Sequence, residues 1–213
     1  MKLNRLATPL AGVLLLAVAL GSPAGAQVGK SEHRIDPNLA TAEQLAALPG
    51  LTPEQVKAIS AHRPYLTLLD LNAQLGSMEA EAKATLLATL FVPINLNSAT
   101  REELLLIPGV GARMAHEFEE YRPYKGLAQF RREIGKYVDE AEVARLEQYV
   151  FVPIRLNTAT DEEILSIPGV GKRMLHEFKE YRPYKSLEQF QKEIGKYVDA
   201  HELKRLEGYV TLD

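Results

Sequence analysis

Cysteine and tryptophan are both absent from the 213-residue chain. Without cysteine there are no disulfides, thiol nucleophiles, cysteine–zinc sites or lipidated cysteine anchors. An excess of positive charge is missing too. Lys and Arg number 25 against 28 Asp and Glu, a formal charge of -3, which excludes a histone-like polycation. Long apolar runs are also lacking. With 46% hydrophobic and 25% charged residues, the composition is that of a globular protein. It fits neither a wholly disordered chain nor a polytopic membrane protein. No nucleophile–base pair, P-loop or acidic metal cluster stands out, so no catalytic residue, metal ligand, cofactor or small-molecule substrate is expected.

The apolar run nearest a membrane span is Ala11–Leu20, ten residues long and too short to cross a bilayer. Lys2 and Arg5 precede it, and Ala24-Gly25-Ala26 follows. A positive stretch, a short apolar core and an A-x-A site have the order of a signal peptide cleaved after Ala26. The expectation is a periplasmic or secreted protein with no membrane span after cleavage. Loss of Lys2 and Arg5 takes the formal charge from -3 to -5.

The remainder repeats itself. Residues 91–150 laid on 151–210 give 43 identities in 60 positions. A more diverged copy upstream keeps Asn38, Pro49-Gly50 and Arg63-Pro64-Tyr65 in register. Repetition at this period indicates one small unit duplicated, with the end copy drifting. The expected organisation is a leader at 1–26, a polar tail at 27–34, and units at 35–91, 92–151 and 152–213. The junctions Phe91-Val-Pro-Ile94 and Phe151-Val-Pro-Ile154 are apolar, without a Gly/Ser linker. Adjacent units are therefore expected to lean on each other.

Each unit reads as about four short helices. Thr41 with Gln44, Thr100 with Glu103 and Thr160 with Glu163 have capping-box spacing. Pro108-Gly109 stops the first helix of the second unit. A second helix is expected from Ala112 to about Tyr121, ended by Arg122-Pro123. A third covers Leu127–Ile134, and a fourth runs from Asp139 to near Val150. Nothing alternates with period two over a useful length, so the expected class is all-α.

The sharpest motif is Ile107-Pro-Gly-Val-Gly111, repeated as Ile167-Pro-Gly-Val-Gly171. Two glycines permit backbone geometry that a Cβ obstructs. If Gly111 requires positive φ, Gly111→Val costs more than a lost cap. The helix start that follows carries free N–H donors and a partial positive charge, suited to a phosphate. Arg113 follows one hairpin, and Lys172 and Arg173 the other. The same glycines would also serve a tight αα turn that holds no ligand.

The segments N-x-A-T-x-E-E-(L/I)-x-x-I-P-G-V-G and Y-R-P-Y-K-x-L-x-x-F resemble the helix-hairpin-helix modules of competence DNA receptors of the ComEA type, over essentially all of residues 36–211. That resemblance implies three tandem helix-hairpin-helix units. It also implies a partner, the DNA backbone, bound without sequence specificity in DNA uptake. Carried across, the DNA-binding residues are Gly109, Val110, Gly111 and Arg113, and Gly169, Val170, Gly171, Lys172 and Arg173. A second resemblance, to the exported photosystem II protein PsbU, implies a protein partner instead. The first unit departs from the pattern at Pro49-Gly-Leu-Thr-Pro53. Its second glycine is gone and a proline removes a donor, so phosphate contact is expected to be lost there. By unit the formal charges are -2, -2 and -1 (residues 27–94, 95–154 and 155–213). A DNA-binding face must therefore be local.

His116 and Glu120, and His176 and Glu180, share helix faces at i,i+4, a spacing read as surface ion pairing. Tyr121, Tyr124, Tyr181 and Tyr184 are read as packing the second helix of each unit on the third. Arg122 and Arg182 are read as either ligand contacts or caps on carbonyls.

Overall fold

The computed structural model describes residues 25–30 and 33–212. Of the expected leader at 1–26, residues 1–24 lie outside the described residues. Twelve short helices are present among the described residues, falling into three groups of four. The first group is α1 (Ala42–Ala46), α2 (Pro53–Ala61), α3 (Leu68–Gln74) and α4 (Ala80–Leu87). The second is α5 (Arg101–Leu104), α6 (Ala112–Glu120), α7 (Leu127–Ile134) and α8 (Glu140–Glu147). The third is α9 (Asp161–Ser166), α10 (Lys172–Glu180), α11 (Leu187–Ile194) and α12 (Ala200–Glu207). Among the described residues, no helix is long and apolar enough to cross a membrane.

The fold is mostly helical but not strictly all-α, which corrects the expectation. Four two-residue strands tie the ends of each later group together. β1 (Ile94–Asn95) pairs in parallel with β2 (Val150–Phe151), and β3 (Ile154–Arg155) with β4 (Val210–Thr211). Two residues are too few to leave an alternating pattern in the sequence. α8 ends at Glu147, short of Val150, because the chain turns there into the strand: the Tyr149 carbonyl accepts from the Ile94 amide, and Val150 stands in register with Ile94.

Local signals explain the helix starts. Thr41 and Thr160 form complete capping boxes with Gln44 and Glu163. Thr100 accepts from the Glu103 amide, but the Glu103 carboxylate does not return to Thr100. It accepts instead from the Leu68 amide at α3, 2.8 Å away. Half of the expected box is thus spent on joining the first two groups.

A hydrogen-bond pattern recurs behind each second helix. The side-chain amide of Asn97 donates to the Tyr124 carbonyl at 2.9 Å and accepts from the Tyr124 amide at 2.6 Å. Asn38 with Tyr65 and Asn157 with Tyr184 do the same. The Arg-Pro bonds at 63–64, 122–123 and 182–183 are cis. Arg63, Arg122 and Arg182 donate to the carbonyls of Ala40, Ala99 and Ala159. The arginines therefore tie down the loop ahead of the first helix, not the end of their own helix.

Two apolar cores serve the three groups. One is shared by the first two, running from Leu45, Ile59 and Leu71 to Phe118, Phe130 and Leu146. The other lies within the third group around Phe178, Phe190 and Leu206, and takes in Val28 and Phe151. Val28 is 1% exposed and bridges Phe151. The Gly29 amide donates to Val150, and the Val152 amide to Gln27. Residues 27–30, expected as the start of a polar tail, are thus a docked strap. A Cβ at Gly29 would lie 1.8 Å from the Glu147 carbonyl oxygen, so this close backbone approach requires glycine.

Candidate nucleic-acid interface

The turns joining the first and second helices of each group share one conformation. Gly50, Gly109 and Gly169 have φ of 84°, 81° and 80°, the left-handed region in which a Cβ is costly. In the second and third groups the next residue packs inward. Val110 and Val170 are buried, and their amides close the turn onto Ile107 and Ile167. Neither their side chains nor their N–H groups face solvent.

Gly111 and Gly171 are built differently from the glycine two residues earlier. They are the N-caps of α6 and α10, with extended backbone at φ -97° and -105°. A Cβ at either would meet nothing within 4 Å. The positive φ considered for Gly111 belongs to Gly109. Neither local strain nor packing explains the second glycine. No side chain caps α6 or α10. The first-turn N–H groups, which have no intrahelical acceptor, are left without a side-chain acceptor as well. In the first group Thr52 occupies the same place. It accepts from the Gln55 amide at 3.3 Å, while the Gln55 side chain accepts from the Thr52 amide at 2.9 Å. That helix start is closed by its own side chains.

Arg113, Lys172 and Arg173 are exposed in the first turns of α6 and α10. None of the three has an ion pair among the described residues. By contrast Arg101, Arg131, Arg132, Lys136, Lys179 and Lys196 are each paired with a carboxylate. Three exposed cations without an ion pair among the described residues thus stand at two uncapped helix starts, although other lysines and arginines, Lys57, Lys125 and Lys185 among them, are unpaired elsewhere on the chain.

Two residues that the sequence reading did not single out touch these turns. Arg145 of α8 donates to the Pro108 carbonyl at 2.7 Å and grips Glu142 with both remaining nitrogens at 2.7 Å. Arg205 of α12 reaches the same two partners differently: Nη2 donates both to the Pro168 carbonyl at 2.8 Å and to Glu202 at 2.6 Å, Nε donates to Glu202 at 2.7 Å, and Nη1 is buried without a hydrogen-bond partner among the described residues. The Arg145 guanidinium holds the Glu142 carboxyl below the usual carboxylate range. Burial works to lower the pKa of Arg205, but Glu202, together with Tyr209 and Asp36, more than offsets it, and the pKa is raised. The available signal was the repeat itself, which keeps Glu142/Glu202 and Arg145/Arg205 in register.

The aromatic residues behave as fillers. Tyr124 and Tyr184 are buried against Phe130 and Phe190. Tyr121 and Tyr181 exchange a 2.8 Å hydroxyl contact with Tyr137 and Tyr197. His116 and His176 lie 3.2 and 3.4 Å from Glu120 and Glu180, on exposed helix faces. Among the described residues, no three His, Asp or Glu are grouped to hold a metal.

No protein-family profile matches the chain, and no solved structure matches it. Two curated proteins match in part. The endonuclease/exonuclease/phosphatase family domain-containing protein 1 of Xenopus laevis is 26% identical across 45% of this chain. Its Danio rerio counterpart is likewise 26% identical across 45%. The aligned stretch spans only 23% of each relative's own length. What these comparisons establish is a partial likeness to proteins that carry, by name, an endonuclease/exonuclease/phosphatase domain.

Proposed function

We propose that residues 35–213 form three tandem helix-hairpin-helix units in an exported, non-enzymatic protein. Its second and third hairpins hold the DNA backbone without reading sequence, in the service of DNA uptake. One observation carries this reading. α6 and α10 start at glycines that neither strain nor packing requires, with no side-chain cap. A threonine there would cap the helix better, as Thr52 does for α2. Glycine leaves the surface clear for a ligand to reach the free amides, and a phosphate is what such amides hold. Arg113, Lys172 and Arg173 supply the charge. Contacts of this kind position a duplex and carry no base code. The names of the two partial relatives are in keeping with a nucleic-acid or phosphate-ester setting.

The net charge of -5 on residues 27–213 favours a second reading, a protein-interaction module on the same scaffold. Binding of labelled duplexes of unrelated sequence to the purified protein separates the two. The DNA reading expects equal, weak affinities, of about 10⁻⁴–10⁻⁶ M at physiological salt. Absence of binding at low salt removes it and leaves the protein partner. The duplexes are expected to come through incubation with Mg²⁺ intact. Cleavage would instead give the chain a hydrolytic activity such as its relatives' name suggests.

A further inference from the structure

Arg145 and Arg205 have no place in the residues assigned to DNA so far, yet both lie against the hairpins. Each donates to the carbonyl of the hairpin proline, at 2.7 and 2.8 Å. Each is held in that position by a carboxylate one helical turn earlier, Glu142 or Glu202. The guanidinium also lies against the left-handed glycine. A Cβ at Gly109 would sit 3.0 Å from Nη2 of Arg145, and one at Gly169 would sit 3.3 Å from Nη2 of Arg205.

The first group supplies an internal control. Leu86, Leu146 and Leu206 are buried to 1% exposure or less at one place on the fourth helix of each group. The residue before each is Thr85, Arg145 and Arg205. The arginine is therefore present in the two groups with an uncapped glycine helix start and absent where Thr52 closes it. The turn itself does not need it, since Gly50 reaches φ 84° without such a partner.

We propose that Arg145 and Arg205 are positioning residues for phosphate capture. Each fixes the Pro-Gly peptide of its hairpin, so that the free amides of α6 or α10 meet the ligand in one orientation. They act on the ligand through the hairpin, with their own charge committed to the glutamates. The inference rests on the DNA reading above.

The test is the binding of a random-sequence duplex to wild type, Arg145→Gln, Arg145→Lys and Arg205→Gln, across a salt series. Melting curves and amide hydrogen exchange at Val110 and Val170 accompany it. Arg145 is the primary position, because Arg205 is buried and its loss endangers folding. The expected result for Arg145→Gln is affinity about fivefold lower, the worth of one ordinary hydrogen bond. The slope against log salt stays unchanged, and exchange at Val110 is faster. Lysine fails to rescue, since an ammonium cannot grip Glu142 bidentately while reaching Pro108. Unchanged affinity, rescue by lysine, or a slope shallower by about 0.9, the signature of one lost phosphate contact, each overturns the proposal. A wild type that does not bind DNA removes the functional reading first, and the positioning role with it.

Discussion

The first hairpin and its two later counterparts bend alike and end differently. Gly50, Gly109 and Gly169 share the left-handed turn within a few degrees. After the turn, Thr52 caps α2 with its side chain, while Gly111 and Gly171 leave α6 and α10 open. The comparison separates what the scaffold needs from what a ligand needs. A glycine kept in all three groups serves the turn. On the reading proposed above, a glycine kept only where the helix start is open and cationic serves contact.

The largest effect is expected where the scaffold is broken. Gly109→Ala forces a Cβ into the left-handed region and against Arg145. It should cost about 1–3 kcal/mol, read as a lower melting temperature. Gly50→Ala and Gly169→Ala should lose stability to a similar degree, because the turn is common to all three. A group of effects limited to one hairpin would break the comparison.

Caps come next. Thr52→Ala and Thr160→Ala should each cost about 1 kcal/mol in chemical denaturation. Neither should alter DNA affinity. Gly111→Thr is the opposite case. Stability should hold or rise by a few tenths of a kcal/mol, since a capping side chain enters open space. DNA affinity should fall, because the amides are now covered. A variant that melts lower while binding as well as wild type would mean that Gly111 serves the fold after all.

The smallest effect concerns pH. Burial pushes the Glu103 carboxyl above its usual range, against the opposing Leu68 hydrogen bond. At neutral pH the folded state carries the cost of an ionised buried group. As pH falls through the raised folded pKa, protonation relieves that cost and stability is regained until the unfolded chain protonates too. Glu103→Gln keeps an acceptor for the Leu68 amide without the charge. It should be at least as stable as wild type at pH 7, with the gap closing on acidification. A gap that widens in acid would contradict this sign.

Much of the fold was legible because it is written in short range. The Thr-x-x-Gln and Thr-x-x-Glu spacings locate helix starts at Thr41 and Thr160, and Arg122-Pro123 ends α6 within a residue of the expected place. What was missed depends on distant partners. Glu103 reaches back to Leu68, and Arg145 reaches Pro108 across 37 residues. Val28 docks beside Phe151. None of these leaves a local pattern. At the site the two-glycine motif was visible, yet the division of labour within it was not. Residue identity alone cannot say that Gly109 carries the positive φ and Gly111 the open surface.

The most direct measurement is DNA affinity against salt for wild type, Lys172→Ala/Arg173→Ala and Thr52→Ala. If each open hairpin neutralises about two phosphates, log affinity should fall with log salt at a slope near -4, taking roughly 0.9 per contact. The double alanine variant should bind every sequence more weakly with a shallower slope, while Thr52→Ala follows wild type. A slope that the double variant leaves unchanged, or salt-independent behaviour even at about 10 mM, where the Debye length is about 30 Å, would contradict phosphate capture by the open hairpins.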